Sequence, residues 1–230
     1  MKKINQALIM AAGRGIRMKP LTDKIPKAMA PHNGSTLIAN GIRKINKVID
    51  NVHITVGYKG AILAKHVIEL DVASVFNTEG KGNAWWVFNT LIRYLDEPVY
   101  VLTCDNVTDI DFDELAEDYY SKGSPPCMIV PVTPKKGLDG DYIFKTGHII
   151  KELDRKKKSG QYCSGIQILN PVKINKLVDK TDDFYTLWNT LIGKKKLYCS
   201  EVRLQKWFTI DNLNQLNRIN SQYRIKKKIL

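Results

Sequence analysis

Short runs of β-forming apolar residues alternate with segments of helical apolar spacing through the first half of this 230-residue chain, and no other feature narrows its fold as far. The runs are QALIMAA (6–12), VHITVG (52–57), ASVFN (73–77) and VYVLTCD (99–105). Each has the length of a strand and is apolar on both faces, as a strand covered on both sides must be. Between them, STLIANGIRKINKVI (35–49) sets Leu37, Ile38, Ile42 and Ile45 on one stripe, with Ser35 and Thr36 placed as caps. AILAKHVIEL (61–70) and NAWWVFNTLIRYL (83–95) repeat the helical pattern. Strands joined by helices pair in parallel, so the pattern predicts an α/β fold with helices on both faces of the sheet. Ligands of such sheets sit beyond the carboxyl ends of the strands.

After DFDELAEDYYSKG (111–123), a helical segment that Asp111 would cap, the pattern changes. CMIVPVTP (127–134), DYIFKTGHIIKELD (141–154) and YCSGIQILNP (162–171) read as strands joined by turns. DFYTLWNTLI (183–192) reads as a helix, and KLYCSEV (196–202) and KWFTID (206–211) as extended. With no Pro-, Gly- or Ser-rich linker and no internal repeat, a single domain over residues 1–230 is expected, its second half extending the sheet and covering the ligand crevice.

A formal net charge of +13 points to anionic partners without distinguishing nucleic acids from membranes or small phosphates. Much of the excess is local, in RKKK (155–158), KKK (194–196) and RIKKK (224–228), runs that usually form solvated turns and tails. Cys104, Cys127, Cys163 and Cys199 stand singly, without metal-ligand spacing, and suit reduced buried thiols. No apolar stretch reaches the roughly 18–20 residues of a membrane span and no signal peptide is evident, so a cytoplasmic location is expected.

The chemistry concentrates where the first strand ends. Gly13 and Gly15 lie in a loop that can turn backbone N–H groups toward an anion, and Arg14, Arg17 and Lys27 supply charge. A dinucleotide fingerprint would place glycine at Met18, and a P-loop would place Lys and then Ser or Thr after its last glycine; neither fits. Asp105 and Asp211 each end an apolar extended run, where such a sheet presents its ligands.

The phrase AAGRGIRMKPLTDKIPKAMAP resembles the signature of the nucleotidyltransferases that activate sugar 1-phosphates and alcohol phosphates, written G-x-G-[ST]-R-[LM]-x-P-L-T and then P-K. Gly13, Gly15, Arg17, Met18, Pro20, Leu21, Thr22, Pro26 and Lys27 match it in order and spacing. EGKGNAWWVFNTL resembles the segment that contacts the base, VYVLTCDNVTDID the strand ending in a metal-binding aspartate, YCSGIQILNP the acceptor wall, and KWFTIDNLNQLNRI the closing W-x-x-I-D segment. The resemblance implies a mixed, mostly parallel sheet sandwiched by helices, with a nucleotide-binding half over 1–122 and an acceptor-binding and closing half over 123–230. It implies that Ala11, Ala12, Gly13, Arg14, Gly15, Glu79, Gly82 and Asn83 hold the nucleotide, that Asp105 and Asp211 hold Mg²⁺, and that Arg17 and Lys27 are catalytic. Ile16 departs from the pattern, standing where Ser or Thr is usual.

In such enzymes a phosphate monoester attacks the α-phosphorus of a nucleoside triphosphate and pyrophosphate leaves. The nucleophile is already an anion, so alignment and charge neutralisation carry the catalysis. The partners implied are a nucleoside triphosphate and a phosphorylated small molecule, not nucleic acid. AAG, and GNA at 82–84 beside Trp85, Trp86 and Phe88, resemble members using pyrimidine triphosphates, CTP before UTP, and the branch that activates choline phosphate and similar alcohols. Aromatics at this spacing are nonetheless more often core than pocket. Tyr142, Tyr162, Trp188, Asp139 and Asp141 would suit a choline-type acceptor, and Gln167, Asn170 and Asn189 a sugar. Two other readings stand beside this one: a basic nucleic-acid-binding module built on the Lys/Arg runs, and a non-catalytic nucleotide-binding regulatory relative.

Overall fold

A computed structural model describes residues 2–138, 140–204 and 206–229, the last seven by backbone alone. In chain order it contains β1 (Gln6–Met10), a 3-10 turn (Ile16–Met18), α1 (Leu21–Lys24), a second such turn (Lys27–Met29), β2 (Pro31–His32), β3 (Ser35–Thr36) and α2 (Leu37–Ile45). β4 (Asn51–Val56), α3 (Gly60–Ile68), β5 (Ser74–Asn77), α4 (Trp85–Asn89), a 3-10 turn (Leu91–Tyr94) and β6 (Val99–Thr103) complete the alternating half. The rest comprises β7 (Asn106–Thr108), α5 (Phe112–Ser121), β8 (Cys127–Val132), β9 (Tyr142–Thr146), β10 (Ile149–Asp154), β11 (Tyr162–Leu169), α6 (Pro171–Leu177), α7 (Phe184–Gly193), β12 (Leu197–Cys199), β13 (Trp207–Thr209) and α8 (Leu213–Ile229).

Nine strands form one sheet in the order β5-β4-β1-β6-β11-β8-β12-β10-β9. The four strands read from the apolar runs pair in parallel, with Leu8 between His53 and Val101 in register. β11 then joins β6 antiparallel and carries the sheet into the second half of the chain. Across the sheet, β11 and β10 alone run against the other strands, which makes it mixed and mostly parallel. One core lies on the face covered by α2, α3 and α5, with Ile38, Ile42, Leu63 and Tyr119 fully buried. The other lies under α4, α6 and α7, around Trp86, Phe88, Phe184 and Leu187.

Local chemistry accounts for the boundaries. Thr36 caps α2 by accepting from the Ala39 N–H at 3.1 Å, and Asp111 caps α5 by accepting from Glu114 at 3.0 Å. The single helix expected over 83–95 is broken: Thr90 is extended, and the Asn89 and Thr90 side chains donate to the Trp85 and Trp86 carbonyls, both at 2.8 Å, the latter shared with the Thr90 N–H at 3.3 Å. α6, which the pattern did not predict, starts with Asn170 as its cap and Pro171 in its first turn. No helix among the described residues is long and apolar enough to cross a membrane.

The basic runs do not form one track. RKKK lies in the loop that enters β11 at Tyr162, whereas KKK precedes Leu197, which pairs with Cys127 beside Leu169 at the other end of β11. Side chains of RIKKK and residue Asp139 lie outside the described set. The four cysteines are free thiols, and burial pushes Cys104 up to about 12 and Cys199 up to about 11.

Candidate active site

The glycine loop is fixed by what lies beneath it. Ala11 extends the β1–β4 ladder, its N–H bonded to the carbonyl and hydroxyl of Thr55 at 3.1 and 3.2 Å. The Ala12 carbonyl accepts from Tyr58 at 3.1 Å, under a backbone approach so close that a Cβ on Gly57 would fall 2.7 Å from that oxygen. Gly15 has a φ of +61°, and a Cβ there would meet Lys27 Cβ at 2.7 Å, so glycine is required on both counts. Its carbonyl accepts from the Met18 N–H at 2.8 Å and from the buried Thr22 hydroxyl at 3.0 Å, while the Tyr58 hydroxyl donates to the Thr22 carbonyl. The Arg14 guanidinium stands 6.0 Å from the Tyr58 ring centre. Met18 is fully buried against Ala30, Leu37, Ile210 and Leu216, which ties the loop to the closing segment.

The two aspartates, 106 residues apart in sequence, meet through a short antiparallel ribbon. β7 and β13 pair with Asn106 opposite Thr209, so Asp105, just before β7, and Asp211, just after β13, emerge at the same end. A backbone bond from Ile210 N–H to the Asp105 carbonyl at 3.0 Å closes that end. The 3-10 turn at Lys27 delivers an ammonium between them: Lys27 Nζ lies 2.6 Å from Asp105 Oδ2 and 3.1 Å from Asp211 Oδ1. Arg17 Nη2 approaches the same Asp211 oxygen at 3.1 Å. The Lys27 side chain is 12% exposed and each aspartate 19%, whereas Arg17, at 62%, reaches out toward solvent. Burial by itself would lower the Lys27 pKa, but the charge and hydrogen bond of Asp105, helped by Asp211, outweigh it and raise it above its ordinary value.

Asp211 also stands where a helix cap would stand, and that task falls to its neighbour. Asn212 Oδ1 accepts from the Gln215 N–H at 2.9 Å, and Gln215 Oε1 accepts from the N–H groups of Asp211 and Asn212 at 2.6 and 3.1 Å. This reciprocal box satisfies the start of α8 and leaves the Asp211 carboxylate for the cations.

A cleft of about 810 Å³ opens over this cluster, lined by Ala12, Gly13, Arg14, Gly15, Arg17, Lys27, Glu79, Gly82, Asn83, Asp105 and Asp211 among others. Of the residues the sequence singled out, Ala11 is kept out of the wall by its bonds to Thr55. Glu79 is exposed on the rim. Gly82 passes so close to Asp182 that a Cβ would overlap that carbonyl at 2.0 Å. Asn83 Oδ1 accepts from the Phe184 N–H at 2.9 Å while the Ala84 N–H donates to the Asp182 carbonyl at 2.9 Å. GNA therefore clips the start of α7 to the cleft wall, a long-range role with no signature in sequence. Trp86 and Phe88 are core, as their spacing suggested, though Trp86 also borders the cleft. A second cavity, about 870 Å³, lies behind the loop after β6, against α2, and contains none of the Lys27, Asp105 and Asp211 groups.

The acceptor candidates divide. The Tyr142 and Tyr162 rings meet tilted at 59° with centres 4.4 Å apart, and Asp141 pairs with Arg155 at 2.9 Å. Gln167 is buried and accepts from Trp188 Nε1 at 2.9 Å, so those two side chains bond each other; Asn189 is exposed. Asn170 is the α6 cap, at the end of β11 away from the cleft, which removes it from the set.

Two carboxylates that already converge on one cation fit a hard divalent ion. Among the described residues no group of three His, Cys, Asp or Glu side chains is placed to hold a metal; an ion at this pair would have two carboxylates as protein donors, as suits one that takes its other ligands from water and substrate phosphates.

A family model described as nucleotidyl transferase matches residues 6–138, which include the glycine loop, Lys27 and Asp105. The chain belongs to the nucleotidyltransferase family. Members of this family bind a nucleoside triphosphate and a sugar phosphate and generally use a divalent metal. Among curated relatives, the bifunctional protein GlmU of Methanococcus aeolicus is 29% identical over 49% of this chain and 27% of its own length. Mannose-1-phosphate guanylyltransferase 1 of Arabidopsis thaliana is 24% identical over 75% of this chain and 52% of its own. The chain thus spans about half or less of these relatives. Solved structures match it end to end: the inositol-1-phosphate CTP transferase of T. maritima at 15% identity and TM-score 0.79, covering 99% and 97% of the two chains, and the CTP:phosphocholine cytidylyltransferase of Streptococcus pneumoniae at 21% and 0.73, covering 94% and 98%.

Proposed function

We propose that this nucleotidyltransferase is a Mg²⁺-dependent cytidylyltransferase, with UTP the next choice of donor, that transfers a nucleoside monophosphate to a phosphorylated small alcohol or sugar 1-phosphate for cell-surface polysaccharide synthesis. The observation that carries the reading is the convergence of Lys27, Asp105, Asp211 and Arg17 at the mouth of the glycine loop. An oxygen of the acceptor phosphate bonds to the α-phosphorus, the bond from that phosphorus to the bridging oxygen breaks, and pyrophosphate leaves with the electron pair. Lys27 neutralises the repulsion between the attacking and attacked phosphates, and Arg17, exposed beside the loop, takes the β- and γ-phosphates. Asp105 and Asp211 would hold Mg²⁺, which supplies Lewis-acid stabilisation of the charge on the α-phosphate and leaving group. Cys104, with its thiol pushed up to about 12 by burial and then by Asp105, is neutral at physiological pH and unsuited to act as a nucleophile.

CTP is preferred because the loop begins AAG, because GNA is followed by aromatics, and because two of the structures matched over nearly their whole length are described as CTP enzymes. Calorimetry with each triphosphate in Mg²⁺ tests this: CTP binds more tightly than UTP, and both more tightly than ATP or GTP. Tightest binding by GTP would overturn the base assignment and point to the activity named for the guanylyltransferase relatives.

A further inference from the structure

Lys27 is placed at once as a contact for substrate phosphate and as the ammonium between two carboxylates, and it cannot do both with full strength. Two partly buried carboxylates held side by side repel, and the cluster is compact because one ammonium hydrogen-bonds both. The root of the lysine lies against the glycine loop, where its Cβ and Cγ leave no room for a Cβ on Gly15, while beyond it the stem carries Nζ on rotatable bonds. A divalent cation bound by Asp105 and Asp211 would share their carboxylates with the ammonium, whose charge and hydrogen bonds to Asp105 Oδ2 and Asp211 Oδ1 oppose a second cation there. Resting on the metal-site reading above, we propose that Lys27 is an internal counter-cation that keeps the carboxylate pair assembled and competes with the metal, yielding to it when triphosphate oxygens offer the ammonium another partner. The metal and triphosphate then bind with positive coupling, because each releases the ammonium for the other.

Mn²⁺ binding to the free protein, followed by the electron paramagnetic resonance of unbound Mn²⁺, tests this without turnover. Lys27→Met is expected to bind Mn²⁺ at least about tenfold more tightly than wild type without nucleotide, as removal of a competing charge contact should give. In chelator the same variant melts lower than wild type and regains more on adding Mn²⁺. Lys27→Arg keeps a cation and stays close to wild type. Lys27→Gln, neutral and still able to donate to a carboxylate, carries the same expectation should the methionine variant fail to fold. Equal Mn²⁺ affinity in wild type and the neutral variants would overturn the proposal while leaving the metal site standing. Affinity unchanged by Asp105→Asn and Asp211→Asn would overturn the metal site itself, and this proposal with it.

Discussion

Lys27, Asp105 and Asp211 come from three distant parts of the chain and end within hydrogen-bonding distance of one ammonium. The two aspartates were legible from sequence because each closes an apolar run, and Lys27 because it completes the signature that begins at the glycine loop, but the reason they meet was not. The β7–β13 ribbon pairs three residues with three, too short a signal to read without the fold. Replacing Lys27 by Ala is expected to lower kcat/KM by about 3 kcal/mol, the usual loss for a preorganised charged contact. Steady-state kinetics beside a melting curve checks this, and an effect on melting alone would make Lys27 structural. Asp105→Asn is expected to remain folded by circular dichroism and to lose metal-dependent turnover; a variant with normal rate would take Asp105 out of the metal site. Gly15→Ala places a Cβ at positive φ and against Lys27, at about 2 kcal/mol in stability, and displaces the lysine root, so both melting temperature and rate fall.

Elements followed the sequence where apolar periodicity was strong and departed where side chains competed with the backbone. β1, β4, β5 and β6 were read from their runs, whereas the helix expected over 83–95 broke at Asn89 and Thr90, whose side chains cap it from within. The edge of the sheet carries a pH-sensitive seam. On β4, His53 Nδ1 lies 2.8 Å from Ser74 Oγ on β5, and Nε2 lies 3.0 Å from Gln6 Oε1 on β1. The neutral ring, donating from Nε2 and accepting at Nδ1, satisfies both partners. Burial lowers the His53 pKa below 6.5, so the folded state favours the neutral form. Its stability is therefore present above pH 6.5 and lost as pH falls through the lower folded-state value. Melting at pH 7.5, 6 and 5 should show wild type losing more stability on acidification than His53→Gln; parallel losses would remove His53 from the seam.

At the scale of the molecule, one sheet runs through both halves, with β11 on β6 as the join and GNA clipping α7 to the cleft. Alternation in the first half predicted the parallel part, but the antiparallel extension depends on pairings between strands far apart in sequence, which periodicity does not encode. Net charge suggested an anionic partner, yet two of the basic runs lie at opposite ends of β11, while the ordered cations of the cleft gather at the glycine loop. Pyrophosphate release in Mg²⁺, with CTP, UTP, GTP, ATP and dTTP each set against phosphocholine, phosphoethanolamine, aminophosphonates and sugar 1-phosphates, tests the proposed activity most directly. Release is expected from a pyrimidine triphosphate with one of these acceptors, abolished in Asp105→Asn; no release with any pair, together with no triphosphate binding by calorimetry, would contradict the proposed activity.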